Sequence, residues 1–188
     1  MKIEKVKTAF KVADALIDRD HGIRLIKFKF LDEIFNEGGK KLEQEILKDS
    51  SGRIYLIVVD GVIKKIGGSQ SKGGIKSTLL FYQGGMQGGP SIRTFGIHLL
   101  IRRELEQNKK VEIYMITSKK TKTLVKGLFS EDEAEVAAFK DMEDKCKKDY
   151  KETEGVYPPW NFQERGEAWA QDILRAHNKH GKKRKSLR

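Results

Sequence analysis

The sequence predicts a small mixed α/β domain of the α+β kind, with strands and helices interleaved through its middle and an addition at its N-terminus. Three observations carry that reading. Residues 54–59 are rich in β-branched side chains, Asp60-Gly61 suits a two-residue hairpin turn, and residues 62–66 form the return strand. Pro90-Ser91 opens the longest mid-chain helix, reaching about Gln107. Residues 111–116 then read as a strand, and Ser130 with Glu133 makes a capping-box pattern for a helix reaching about Tyr150.

The remaining elements follow in order. Residues 3–18 read as a helix, with Val6, Phe10, Ala13 and Ile17 at helical spacing, ended by His21-Gly22. Residues 23–30 alternate as a strand with a basic side formed by Lys27 and Lys29. A helix over about 40–48 carries Leu42 and Ile46 on one face. Residues 67–74 are rich in Gly and Ser, residues 75–82 form a short amphipathic piece, and residues 84–89 are a second flexible run. Pro158-Pro159-Trp160-Asn161 is a rigid corner, followed by a last helix over about 163–177. The tail, 179–188, is basic and expected to be disordered in isolation.

Composition narrows the function classes. The 188 residues suffice for one domain with a modest core, since 38% are hydrophobic and 35% charged. A net charge of +11 points to an anionic partner, because Lys and Arg release counterions when they neutralise phosphates. Cys146 is the single cysteine, which excludes an internal disulfide and a cysteine-based zinc cluster. The start lacks the apolar core of a signal peptide and no apolar run is long enough to span a bilayer, so a cytoplasmic location and no membrane partner are expected.

Within the hairpin, register decides which cation accompanies Tyr55. A two-residue Asp60-Gly61 loop pairs Tyr55 with Ile66 and puts Lys64 on its face. A three-residue loop with a glycine bulge pairs Tyr55 with Lys65 instead. Downstream, Arg93 stands at the start of a long helix, and Lys76 lies in the short amphipathic piece before it. A guanidinium suits a phosphate contact because it is always charged and donates in a planar fork. His98 lies five residues on, about 140° around the helix, and so belongs to another face. Val136, Phe139, Cys146 and Tyr150 form an apolar helical stripe interrupted by Glu143, and a carboxylate there must be paired, snorkel to water or bind a cation. The segment 68–77 looks like a phosphate loop, but Ile75 separates the Gly-Lys-Ser elements that such a loop keeps contiguous.

Arg53-Ile54-Tyr55 and Lys65-Ile66-Gly67, followed in order by Arg93, Glu143 and Asn161, resemble the GIY-YIG nucleases over about 53–162. Arg53 stands where that family has its first glycine and Lys65 where it has its second tyrosine. The resemblance implies a three-stranded antiparallel sheet flanked by helices. It divides the chain into an N-terminal helix/strand/helix extension (1–50), a nuclease-like domain (51–178) with a Gly-rich insertion (67–90), and the basic tail. The layout is closest to the family's type II restriction enzymes.

The function so implied is Mg²⁺- or Mn²⁺-dependent hydrolysis of double-stranded DNA, with a homodimer cutting both strands. In that scheme Glu143 holds the metal, Arg93 stabilises transition-state charge, and Tyr55 with Lys65 orients or deprotonates water. Asn161 fixes the geometry, and Lys64, Lys76 and His98 are reserve candidates. Lys72, Lys76, Arg102, Lys182, Lys183 and Arg184 are expected to contact the nucleic acid. The alternative reading is an inactive nuclease fold that binds DNA or RNA.

Overall fold

A computed structural model describes residues 1–19, 25–117, 121–126, 128–136 and 138–186, excepting the side chains of 134–136 and 183–186. At its centre lies β5 (Arg53–Val59), all seven residues of which are buried. The unbroken apolar run from Ile54 to Val59, mostly β-branched or aromatic, suits a strand covered on both faces. β6 (Val62–Ser69) returns beside it, and β7 (Val111–Thr117) pairs on its other side. β1 (Phe10–Asp18) and β2 (Leu25–Phe30) extend the sheet beyond β7, giving the antiparallel order β2-β1-β7-β5-β6. The expected three-stranded unit is therefore the β6-β5-β7 part of a five-stranded sheet.

Helices cover both faces. α1 (Gly74–Gln83) and α2 (Ile92–Glu106) lie over one face, where Tyr55, Ile57, Ile75, Leu79, Tyr82, Ile97 and Ile101 join the main core. Ser91 caps α2, its hydroxyl accepting from the Thr94 amide. α3 (Phe139–Glu154) covers the other face, where Ile54, Leu56, Val58, Ile63 and Ile66 meet Tyr150 and Ile3. α4 (Phe162–Arg165) follows the Pro-Pro-Trp-Asn corner, and α5 (Gln171–Ser186) packs on α2. Two small ladders complete the fold: β3 (Ile34–Phe35) with β4 (Lys41–Leu42), and β8 (Thr121–Lys126) with β9 (Glu131–Val136). Among the described residues, no helix is long and apolar enough to cross a membrane.

Several expectations are corrected. Residues 10–18 are an interior strand and not part of a helix. Its register shifts between Lys11 and Ala13, which breaks the two-residue period and imitates helical spacing. The turn at His21-Gly22 lies outside the described residues. Residues 40–48 form β4 and a single 3-10 turn, Gln44–Leu47. Ser130 does not cap a helix; it donates to Asp132 at 3.1 Å beside the start of β9, and the helix begins only at Phe139. Val136 accordingly belongs to a strand. The last helix is divided by Gly166, whose φ of 67° ends α4, and the basic tail continues α5 as helix to Ser186.

Candidate active site at the edge of the sheet

The hairpin turn sets which side chains face the cleft. Asp60 and Gly61 have φ of 46° and 76°, and Val59 pairs with Val62, so the loop has two residues. Asp60 tolerates this backbone while its carboxylate accepts from the Lys110 amide at 2.9 Å. The register then slips: Val58 pairs with Ile63 but Ile57 with Lys65, leaving Lys64 as a bulge. Tyr55 consequently faces Gly67, which corrects both alternatives drawn from the sequence. Because side chains alternate along a strand, the bulge turns Lys65 onto the face of Ile57 and Tyr55.

The Gly67-Gly68 pair explains how groups from both faces approach one edge. A side chain at Gly67 would collide with the Tyr55 ring. One at Gly68 would collide with the Glu143 carboxylate and crowd the Phe139 ring. The two glycines thus make room for a phenol on one face and a carboxylate on the other. β6 is an edge strand, so its outer backbone groups need partners. Asn161 supplies those of Ile66: its Oδ1 accepts from the Ile66 amide at 2.9 Å and its Nδ2 donates to the Ile66 carbonyl at 2.9 Å. The Trp160 amide donates to the Lys64 carbonyl at 2.8 Å, holding the bulge.

Around this edge the charges are arranged as a network. Lys65 is buried, and its pKa is lowered to about 8, first by burial and then by the Arg93 charge, while Glu164 and Glu143 oppose the shift. Arg93, in the first turn of α2, is exposed and donates to Gln163 at 2.7 Å. Lys65, Arg93, Asn161, Gln163 and Glu164 line one pocket with Trp160 and Trp169. Lys147 bridges Glu143 at 2.6 Å and Glu164 at 2.5 Å. The Glu164 carboxyl is held below its usual range by Lys147, against the effect of burial.

Tyr55 is buried, and its hydroxyl lies 2.6 Å from that of Tyr82. Burial raises its pKa well above the usual phenol value; Arg93 lowers it and Glu143 raises it.

The fold therefore brings Lys65, Arg93 and Asn161 to one pocket, with Glu143 and Tyr55 within its electrostatic reach. Three residues escape a reading of the sequence: Tyr82, Lys147 and Glu164. Lys147 lies one helical turn beyond Glu143, a spacing that signals an ion pair. Glu164 lies three residues past Asn161, but nothing in the sequence singles it out.

Lys64 is the bulge residue, and Lys76 turns toward β2, its ammonium 5.3 Å from the Phe30 ring centroid. His98 is buried behind Tyr82, its Nδ1 2.7 Å from the Tyr82 carbonyl, and burial lowers its pKa. Lys72 and Lys182 are exposed. Arg102 pairs with Glu106 at 3.0 Å. The side chains of Lys183 and Arg184 lie outside the described residues.

Among the described residues, no group of three or more His, Cys, Asp or Glu side chains is arranged to hold a metal. A single carboxylate is nevertheless a normal protein contribution for Mg²⁺, which takes its remaining ligands from water and substrate phosphate. Glu143 fits that pattern, with one carboxylate oxygen on Lys147 and the other turned to Gly68.

No family model matches the sequence, and no curated protein does. Among solved structures, the chain is similar to a mutant of bacteriophage T4 EndoII, with 16% identity, 86% of this chain and 98% of that one covered, and a TM-score of 0.55. The restriction endonuclease HPY188I in complex with product DNA matches at 15% identity and a TM-score of 0.49, over 84% of each chain. The chain has the fold of the first of these.

Proposed function

We propose that this protein is a DNA endonuclease of the GIY-YIG type, hydrolysing phosphodiester bonds of double-stranded DNA with Mg²⁺ or Mn²⁺. We further propose that it cuts at a defined sequence as a homodimer, as type II restriction enzymes do. The observation that carries the reading is the convergence on Gly67-Gly68. Tyr55 comes from one face and Glu143 from the other, beside a pocket holding Lys65 and Arg93. The shared fold with EndoII and the net charge of +11 support it.

In this mechanism Arg93, exposed at the pocket mouth, binds the scissile phosphate and offsets charge that grows in the transition state. Tyr55 orients the attacking water. Lys65 contributes positive charge on the same face. Asn161 fixes the strand that carries Lys65. Glu143 would hold a metal ion, which when bound would supply Lewis-acid stabilisation of the charge on the phosphate and the leaving oxygen.

Supercoiled plasmid incubated with Mg²⁺ should be nicked or linearised, and EDTA or Glu143→Ala should stop this. Cleavage that persists in Glu143→Ala removes the metal assignment. The pairing of Glu143 with Lys147 favours one second reading, an inactive fold that only binds nucleic acid. Binding without metal-dependent cleavage of any DNA would establish it.

A further inference from the structure

We propose that Tyr82 is a positioning residue of this site, its phenol oxygen holding the Tyr55 hydroxyl in the orientation that serves the attacking water. The inference rests on the hydrolytic reading of Tyr55 and extends it to the segment between Lys65 and Arg93. The geometry is specific. The two hydroxyls are 2.6 Å apart, both rings are buried, and they meet edge to face at 61° with centroids 6.1 Å apart. Tyr82 is the only hydrogen-bond partner of the Tyr55 hydroxyl among the described residues.

A neutral phenol has one proton and two lone pairs. When Tyr55 donates its proton to Tyr82, its lone pairs are left to accept from a water molecule. Without that partner the hydroxyl proton is free to rotate, and it can point at the water and block the acceptor. Burial raises the pKa of both phenols, so the pair is neutral at pH 7 and this orientation is the property that matters.

Tyr82 is itself held in place. Thr78 on α1 is bonded to Ser69 at 2.7 Å, which ties the helix to β6 one residue past the glycine pair. At the helix end, His98 Nδ1 lies 2.7 Å from the Tyr82 carbonyl, which ties it to α2. A side chain at Gly85 would collide with His98, so the chain leaving α1 fits closely there. α1 is thus fastened to the two elements that carry Lys65 and Arg93, and its buried face presents Tyr82 to the site.

The test is Tyr82→Phe, which keeps the ring and its edge-to-face contact and removes only the oxygen. Single-turnover cleavage at saturating DNA should slow by about tenfold or more, while the Kd for DNA stays within about twofold, the ordinary scatter for an untouched contact. Tyr82→Phe should have no further effect in a Tyr55→Phe background, because the hydroxyl acts only through Tyr55. A rate unchanged by Tyr82→Phe, or effects of the two substitutions that multiply, would overturn the proposal.

A wild-type protein that cuts no DNA would instead refute the hydrolytic reading. The hydroxyl contact is then judged by the ¹³Cζ resonance of Tyr55. It should move in Tyr82→Phe and stay in place in Tyr157→Phe, and a resonance unmoved by the first overturns the contact.

Discussion

Lys65 is expected to cost the fold stability in exchange for charge at the site. Its folded pKa is about 8, whereas a lysine in the unfolded chain titrates near its ordinary value of 10.5. Between those values the unfolded chain binds more protons, so stability rises with pH across that window. Below pH 8 the cost is present in full. Lys65→Met should therefore stabilise the protein at pH 7 by on the order of 3 kcal/mol, with the gain fading as pH rises from about 8 and nearly gone by 10.5. Urea unfolding at the two pH values measures this, and an equal gain at both would show that desolvation of the ammonium is not the cause.

Under the proposed mechanism the same variant loses cleavage. Lys147 makes a second test at this scale. It neutralises both Glu143 and Glu164, so Lys147→Met should lower the Mg²⁺ concentration needed for half-maximal cleavage. A requirement that stays the same or rises would show that Lys147 does not compete with the ion.

At the level of elements, β6 owes its shape to a corner nearly a hundred residues away. Asn161 satisfies both outward backbone groups of buried Ile66. Asn161→Ala should destabilise the protein by about 1–3 kcal/mol, the cost of leaving such groups unpaired. It should also lower cleavage by loosening the bulge that aims Lys65. Thermal unfolding and plasmid assays read the two effects, and a variant as stable as the parent would show that Asn161 does not clamp the strand.

This long-range dependence marks the limit of what the sequence reveals. Asp60-Gly61 announces its turn because positive φ is a local requirement. The β-branched run of β5 and the Ser91 cap of α2 are local in the same sense. The Lys64 bulge is not, since it is held by Trp160 and Asn161 through contacts that no short window contains. β1 reads as helix because Phe10, Ala13 and Ile17 fall at helical spacing, yet pairing with β2 and β7 on both sides overrides that pattern. Of the site, the motif residues stand out as residue types. Tyr82 does not, because a tyrosine on an amphipathic helix looks like ordinary core until its hydroxyl is seen against that of Tyr55.

For the whole molecule, the arrangement of α5 gives the net charge of +11 a direction. Near its start, α5 pairs Asp172 with Arg103, toward the end of α2. Further along, His177 and His180 meet the carbonyls of Pro90 and Gly88 at 2.9 and 3.0 Å, and both rings pack on Phe95. The two helices thus run antiparallel, and the basic end of α5 lies beside the N-terminal end of α2, which carries Arg93 in its first turn. Lys182, Lys183 and Arg184 continue that basic end. Cations there would extend the site's contact with a DNA backbone without reading its sequence.

Replacing those three residues with alanine should weaken binding to duplexes of any sequence to a similar degree. The slope of log K against log salt should become shallower by up to about 3, nearly one counterion for each phosphate that is no longer neutralised. Fluorescence anisotropy in EDTA, over a range of salt concentrations, separates this from cleavage. A slope identical to that of the parent protein would mean that the basic end of α5 points away from the DNA. The positive charge that matters would then lie around Lys72 and Arg93 instead.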